Sequence, residues 1–185
     1  MTEAVKLIAE MGHKARAAFT MLAGVSDAQK SDALTAAARH LRASQAAILA
    51  ANQRDMENAR ARGLSDAMLD RLMIDEGRLA AIADAVEKVA NLPDPVGQII
   101  DRSEQPNGLV MERIRVPLGV IGIIYESRPN VTADAAALAL RSGNAVILRG
   151  GSEAIESNRA IFDAMTAGVI EAGLAEHAIQ LVQTT

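Results

Sequence analysis

The chain has 185 residues, of which 50% are hydrophobic, and its formal net charge is −4. It contains no Cys, which excludes disulfides, zinc–thiolate sites and a thiol nucleophile within these residues. The mildly acidic composition gives no reason to expect nucleic acid, and no apolar run is long enough to span a membrane. The N-terminus lacks the basic and apolar regions of a signal peptide, so we expect a soluble cytoplasmic protein.

Residues 1–95 are predicted to form a string of Ala-rich helices. The first runs from Thr2 to Leu22, and one of its faces should be buried. The residues on that face are Ile8, Met11, Ala15, Ala18 and Leu22. Capping and helix-breaking residues indicate the later boundaries. They are Ser26 with Gln29, Ser44, Gly63, Ser65, Asp75, Pro93 and Pro95.

The charged residues of this helical region are expected to form a solvated face, because most exposed helical charges have no specific role. Those residues are Lys30, Asp32, Arg39, Arg42, Arg54, Asp55, Glu57, Arg60 and Arg62. Their mixed signs argue against a polybasic patch for a membrane or nucleic acid.

Residues 96–117 are predicted to form a β-hairpin arm. Extended segments at 98–104 and 109–116 flank Asn107-Gly108, which is a strong hairpin signal. Polar and apolar residues alternate at the end of the second segment, which predicts a half-exposed strand. Such a hairpin serves either to pair with another subunit or as a domain edge, and the sequence leaves both open.

Residues 118–185 carry the pattern of a parallel α/β sheet. Two short apolar runs, Val120–Ile124 and Ala145–Leu148, are joined by an Ala-rich segment from Val131 to Arg141. This pattern predicts strand, helix and strand, with the strands apolar on both faces and therefore buried.

A second helix and a third strand should follow. Ser152 is expected to be the N-cap of a helix that runs to Gly173, with Arg159 facing outward. Residues 178–182 are expected to form the third strand, and residues 183–185 come after it. A parallel sheet that stops at its third strand has an uncovered side, so the unit is predicted to be incomplete.

A polar turn follows each apolar strand, at the sheet edge where ligands bind. The 149–152 turn, Arg-Gly-Gly-Ser, has the parts of a phosphate cradle. Its glycines let N–H groups approach an anion, while Ser152, Arg149 and the helix N-terminus add a hydroxyl and positive charge. The alternative is a tight turn in which Gly relieves strain and Ser only caps. No standard nucleotide-binding glycine motif occurs.

The 125–130 turn, Tyr-Glu-Ser-Arg-Pro-Asn, is crowded with polar side chains. Arg128 suits a carboxylate or phosphate of a substrate, and Ser127 or Asn130 suits a developing oxyanion. The alternative is structural. Asn130 would then cap the following helix, and Arg128 would pair with Glu126 or Asp134. The histidines show no metal-ligand spacing, so no metal site is expected.

Longer segments around both turns resemble the gamma-glutamyl phosphate reductases, also called glutamate-5-semialdehyde dehydrogenases. The segments are Val116–Thr132, Leu140–Ala154 and Ile48–Asn52, and the resemblance covers the whole chain. The family belongs to the aldehyde dehydrogenase superfamily. This implies an α/β fold with a helical N-terminal region, a β-hairpin and part of a Rossmann-like parallel sheet. It also implies NADPH-dependent reduction of L-glutamate 5-phosphate to the semialdehyde and phosphate, in proline biosynthesis.

The resemblance implies a role for each turn. The residues that match the segment under the adenosine ribose of the cofactor are Arg149, Gly150, Gly151 and Ser152. NAD-preferring relatives often carry Glu in place of Ser152, and Ser removes a carboxylate that would repel a 2′-phosphate, which fits NADPH. Ser127 aligns with an Asn that holds the oxyanion in relatives. Arg128 and Asn130 are the other implied substrate contacts.

The nucleophile of this family is a Cys thiolate in a later catalytic domain. Because the chain has no Cys, it is expected to be an N-terminal fragment that is inactive alone, with the nucleophile beyond Thr185. The implied partners are L-glutamyl 5-phosphate, a second copy bound through the hairpin, and glutamate 5-kinase. Two other interpretations stay open: an acyl-CoA-reducing aldehyde dehydrogenase, and a non-catalytic nucleotide-binding or assembly module.

Overall fold

The structure is a computed structural model that describes residues 2–183, so the predicted chain end at residues 184–185 lies outside the described residues. The helical region comprises α1 (Glu3–Leu22), α2 (Asp27–Ala43), α3 (Gln45–Ala61), α4 (Asp66–Leu72) and α5 (Glu76–Ala90). The hairpin strands are β1 (Ile99–Glu104) and β2 (Val110–Ile114). The remaining elements are β3 (Val120–Ile124), α6 (Asn130–Arg141), β4 (Ala145–Arg149), α7 (Ile155–Glu171) and β5 (Ile179–Leu181). Within residues 2–183, no helix combines the length and apolarity that a membrane span requires.

Two predicted capping residues, Ser26 and Asp75, begin helices with side-chain hydrogen bonds, whereas Ser44 and Ser65 precede α3 and α4 without one. The Ser26 hydroxyl accepts from the Gln29 N–H (3.2 Å), and the Gln29 side chain accepts from the Ser26 N–H (3.1 Å), which completes a capping box. At the start of α5, Asp75 Oδ1 accepts from the Arg78 N–H (2.7 Å). Ser44 separates α2 from α3, so the two are distinct helices.

α1 is buried along only part of its predicted face. The buried residues are Met11, Ala15, Ala18 and Leu22. Ile8 is 48% exposed, so its predicted inward orientation is wrong. The first turns of α1 reach the rim of the sheet. There Ile8 and Ile124 line an open apolar groove that no other element covers within residues 2–183.

The parallel sheet has the strand order β3, β4, β5. α6 and α7 connect neighbouring parallel strands and contact each other, and the right-handed path that such connections follow puts both helices on one face. α1 lies on the other face, where Gln180 Nε2 donates to the carbonyl oxygen of Met11 (2.9 Å). α7 approaches α2 so closely that a Cβ on Gly168 would overlap the backbone of Ala37, so glycine is required at this crossing.

The prediction that both apolar strands are buried is confirmed for β4 and wrong for β3. Ala145, Val146 and Leu148 of β4 are buried. Ile124, at the end of β3, is 78% exposed. β3 is an edge of the described sheet, and α1 covers only part of the face on which Ile124 lies.

The predicted hairpin is present, with strands shorter than expected. β1 and β2 pair antiparallel, and the Gly108 N–H donates to the Gln105 carbonyl oxygen (2.8 Å) in the connecting turn. Gly108 has φ +83°, a conformation that glycine adopts readily. Almost every residue of both strands is exposed, so the prediction of a half-buried second strand is wrong. The hairpin stands away from the helices and the parallel sheet.

Buried charges correct the prediction of a wholly solvated helical face. Lys30 and Asp55 are 3% and 4% exposed. Lys30 forms an ion pair with Asp94, just before the hairpin. Arg141 of α6 donates from Nε to the Leu92 carbonyl oxygen (2.8 Å). These two cations hold the segment between α5 and the hairpin against the core.

Burial raises the pKa of Asp94, but hydrogen bonds from Lys30 and from the Val96 N–H, together with the Lys30 charge, outweigh it and hold that pKa below its usual range. The contacts of the Asp94 carboxylate therefore stabilise the fold fully at pH values above the unfolded pKa of Asp94. This stabilisation is lost as the pH falls through the lower, folded pKa.

We expect Asp94→Asn to reduce the free energy of unfolding by about 3 kcal/mol at neutral pH, because it leaves the Lys30 charge buried without a counter-ion. Urea unfolding measures the change. Asp32→Asn, an exposed change on the helix that carries Lys30, should cost less than about 0.5 kcal/mol. Below about pH 4 the wild type should lose stability faster than Asp94→Asn, and parallel pH profiles would contradict the assignment.

Candidate functional site

The two polar turns lie side by side at one edge of the parallel sheet. β3 and β4 pair with Ile124 opposite Arg149, and the Tyr125 N–H donates to the Arg149 carbonyl oxygen (3.0 Å). Both turns therefore leave the carboxyl ends of neighbouring parallel strands, which is where open α/β sheets bind ligands. The predicted proximity of the turns is confirmed, and their ligands remain a prediction.

A carboxylate connects the two turns. Ser127 is 5% exposed, and its hydroxyl donates to Glu153 Oε1 (2.6 Å). The same carboxylate lies against Gly151, where an added Cβ would overlap it. Glu153 was not predicted as a site residue, because no local pattern indicates that the chain after Ser152 folds back onto the neighbouring turn.

Arg128 and Asn130 have different surroundings. Arg128 is exposed, and within residues 2–183 its side chain forms no hydrogen bond or ion pair, so the alternative pairing with Glu126 or Asp134 is not found. Asn130 is the first residue of α6 and Pro129 holds the cap position, so the alternative in which Asn130 caps this helix is wrong. Instead, Asn130 Nδ2 donates to Asp134 Oδ2 (2.9 Å).

The 149–152 turn borders a cleft that also includes the start of α7 and the residues after β5. Gly150 and Gly151 are not in the left-handed region, so conformational strain does not explain them. A Cβ on Gly150 would overlap the Asn158 amide, and one on Gly151 would overlap Glu153. The glycines therefore make room for neighbouring side chains, which the prediction of an open phosphate cradle did not include.

The N-terminus of α7 is capped from another part of the chain. Ser152 makes no capping hydrogen bond; it begins a 3₁₀ turn (Ser152–Ala154) and α7 starts at Ile155, so its prediction as N-cap is wrong. Asp55 of α3 accepts from the N–H groups of Glu156 (3.3 Å) and Ser157 (2.8 Å). The predicted anion site at this helix end is therefore wrong for these two N–H groups, because a carboxylate already binds them.

Asn52 extends the buried contact around Asp55. Its Nδ2 donates to Ser157 Oγ (3.0 Å) and to the Leu72 carbonyl oxygen (2.8 Å), and its Oδ1 accepts from the Ile74 N–H (2.8 Å). Burial raises the pKa of Asp55, and the hydrogen bonds from Ser157 and Glu156 oppose that shift. The Ile48–Asn52 segment thus helps to position the helix that follows the 149–152 turn.

Arg159 joins Arg149 at the cleft. It was predicted to face outward, and it is exposed, but it lines the cleft and donates from Nη2 to Gln183 Oε1 (2.7 Å). The signal was present in the sequence, since Ser152, Ile155 and Arg159 have the spacing of one helical face. Two guanidinium groups at one cleft suit a ligand with several negative charges. Within residues 2–183, no cluster of His, Cys, Asp or Glu is arranged to hold a metal ion.

A buried hydrogen-bond chain lies beneath both turns. The Tyr125 hydroxyl and Thr132 Oγ1 are 2.7 Å apart, and Thr132 Oγ1 donates to Asn158 Oδ1 (3.1 Å). Burial raises the pKa of Tyr125, and the Thr132 hydrogen bond opposes this shift only in part. The chain connects the 125–130 turn to Asn158, the residue against which Gly150 packs.

No protein-family model matches the chain, whereas individual proteins match it closely. It is 66% identical over 182 residues to the gamma-glutamyl phosphate reductase of Sphingopyxis alaskensis, covering 98% of this chain. The crystal structure of the gamma-glutamyl phosphate reductase of Thermotoga maritima has a TM-score of 0.91 at 41% identity over 95% of this chain. An NAD-dependent benzaldehyde dehydrogenase from Corynebacterium glutamicum shares the fold, with a TM-score of 0.71 at 22% identity over 92% of this chain and 34% of its own.

The chain spans 42% of the length of the Sphingopyxis relative and 42% of the Thermotoga chain. Both turns, the hairpin and the helical region lie within this matched part. The predicted resemblance is therefore confirmed: nearly the whole chain matches the gamma-glutamyl phosphate reductases in sequence, its fold matches that of the Thermotoga enzyme, and an aldehyde dehydrogenase shares that fold.

Proposed function

We propose that the protein containing these residues reduces L-glutamate 5-phosphate with NADPH to L-glutamate 5-semialdehyde and phosphate, a cytoplasmic step of proline biosynthesis. The side-by-side placement of the two turns carries this proposal. The 149–152 turn would hold the adenosine-ribose end of the dinucleotide and the 125–130 turn the acyl phosphate, so one extended cofactor could reach from the first turn towards the substrate at the second. The chain contains no Cys, so the nucleophile implied by the resemblance belongs to residues outside this chain.

The cleft beside the 149–152 turn has a volume of about 20 Å³, so it encloses no dinucleotide, and we assign only its exposed, guanidinium-bearing rim to the phosphate groups. Arg149 and Arg159 contribute guanidinium groups, and Ser152 contributes an exposed hydroxyl. When bound, NADPH supplies the hydride that reduces the acyl carbon. The Glu153 carboxylate lies against Gly151 and would repel an anion there. The side of the cleft that carries the guanidinium groups is therefore the part suited to phosphate groups.

In the 125–130 turn, Arg128 is the side chain best suited to the acyl phosphate. It is exposed at the sheet edge and has no competing partner within residues 2–183. Ser127 has one donor hydrogen, which Glu153 accepts. Oxyanion donation by Ser127 therefore requires that bond to break, and until then Ser127 and Glu153 hold the two turns together.

The exposed hairpin favours a second copy of the chain as a partner. Ile99, Ile100 and Met111 are each about half exposed on strands that no other element within residues 2–183 covers. Unpaired strand edges with apolar side chains readily pair with another chain. We therefore assign the hairpin to homo-oligomer formation instead of a free domain edge.

The proposed activity is tested on the full-length protein in the oxidative direction, because the acyl phosphate is labile. We expect glutamate 5-semialdehyde to drive NADPH formation that depends on NADP⁺ and inorganic phosphate. Absorbance of the reduced nicotinamide reports the rate. Dependence on coenzyme A instead of phosphate would indicate the acyl-CoA-reducing alternative, and NADP⁺ binding without turnover would indicate a non-catalytic module.

Ser152→Glu should weaken NADPH binding at least about tenfold more than NADH binding, because the new carboxylate would repel the 2′-phosphate. Ser152 is exposed, so the change is compatible with the fold. Fluorescence titration with both reduced nucleotides gives the two dissociation constants. Ser152→Gln is the matched neutral control and should leave their ratio unchanged; an equal loss for NADH and NADPH would contradict the placement.

Arg128→Ala should raise the KM for phosphate in the semialdehyde-oxidising direction by about tenfold or more, since a charge-assisted hydrogen bond is lost. Steady-state kinetics at saturating NADP⁺ measures it. Arg16→Ala, an exposed change on α1, should behave as wild type. An unchanged KM for phosphate would show that Arg128 does not contact the phosphate group.

A further inference from the structure

A hollow between the α4–α5 junction and the first turn of α6, here called the amino-acid hollow, is lined on one side by Pro129 and Asn130 of the 125–130 turn. We propose that it binds the α-amino-acid end of the substrate, with Asp134 contacting the α-ammonium and Arg71 the α-carboxylate. This inference rests on the proposed function, because it takes glutamate 5-phosphate and its semialdehyde as the ligands.

The amino-acid hollow opens directly from the 125–130 turn. Pro129 and Asn130 form one wall, and Met73, Ile74 and Ile82 are part of the opposite wall. Its volume is about 270 Å³, close to the lower limit of ligand pockets and too small for a dinucleotide. A ligand whose reacting carbon lies at the turn can therefore place its other end in the hollow.

The charged groups of the hollow are not equivalent. Arg78 is already paired, because its Nη2 donates to Asp70 Oδ1 (2.6 Å). Arg71 is exposed and forms no hydrogen bond or ion pair within residues 2–183. Asp134 is half-buried and accepts through Oδ2 from Asn130, which leaves Oδ1 available to a ligand. One guanidinium and one carboxylate thus remain for a ligand.

An α-amino acid carries an ammonium and a carboxylate on one carbon, so it matches both groups. A simple anion would be repelled by Asp134 and a simple cation by Arg71, which selects the zwitterion. The apolar wall suits the two methylenes between that carbon and the acyl phosphate. Asn130 then acts as a positioning residue, since its amide orients the Asp134 carboxylate.

Three aldehydes test the Asp134 and Arg71 contacts independently in the full-length protein. Glutamate 5-semialdehyde has both charged groups, 5-oxopentanoate lacks the ammonium, and 4-aminobutanal lacks the carboxylate. Asp134→Asn should lower kcat/KM about tenfold or more for the first aldehyde and leave 5-oxopentanoate unchanged. Arg71→Gln should lower it by a similar factor for both carboxylate-containing aldehydes and leave 4-aminobutanal unchanged.

Both variants should keep the wild-type KM for NADP⁺, and circular dichroism checks that they fold. Asp32→Asn and Arg16→Gln are matched controls on exposed helix surfaces away from the hollow. If the variants keep the wild-type ranking of the three aldehydes while the wild type remains active with phosphate, the hollow is not the amino-acid site and the proposed function stands.

A wild type without semialdehyde oxidation would instead contradict the proposed function. L-2-aminopentanoate, an amino acid with no acyl group, then tests the hollow directly. Saturation transfer from the protein to this probe, present in the wild type and lost in Asp134→Asn, supports an amino-acid site. Equal transfer in both proteins, or none in either, overturns the inference.

Discussion

The parallel register of β3 against β4 is the constraint on which the candidate site depends. Pairing Ile124 with Arg149 ends both strands at the same level, so the two polar turns leave the sheet together. A slip of one residue would move every β3 side chain to the opposite face and break the Tyr125 to Arg149 hydrogen bond. Burial of Val146 and Leu148 on the helix-covered face of β4 stabilises the register.

The helical region contributes buried polar groups to this arrangement. Asp55 of α3 binds the first N–H groups of α7, and Asn52 ties the same helix to the α4–α5 junction. Buried polar groups are costly without partners, so each of these contacts specifies one position of α7. The helix that follows the 149–152 turn is therefore held by residues from the other half of the chain. Because this helix lines the cleft, the same contacts also fix the position of that wall of the cleft.

The 125–130 turn stands between two different environments. On one side, the cleft carries Arg149 and Arg159 and suits phosphate groups. On the other, the hollow carries Arg71 and Asp134 and suits a zwitterion. The turn itself carries the exposed Arg128, which we propose contacts the acyl phosphate, and Ser127 donates its hydroxyl hydrogen to Glu153 across the two turns. This order would suit the proposed substrate, which has a charged group at each end and its reacting carbon near one of them.

The sequence alone determined the elements whose signals are local. Apolar runs located β3 and β4, the Ser26 capping box located the start of α2, and Asn107-Gly108 located the hairpin. These signals involve residues close together in the sequence, so they can be recognised without knowledge of the fold. Only the tertiary structure decided which groups are buried and paired. Asp55 lies 102 residues from Ser157, and the exposure of Ile124 depends on how far α1 extends across the sheet. Burial and long-range hydrogen bonds depend on which segments pack together, and no local pattern carries that information.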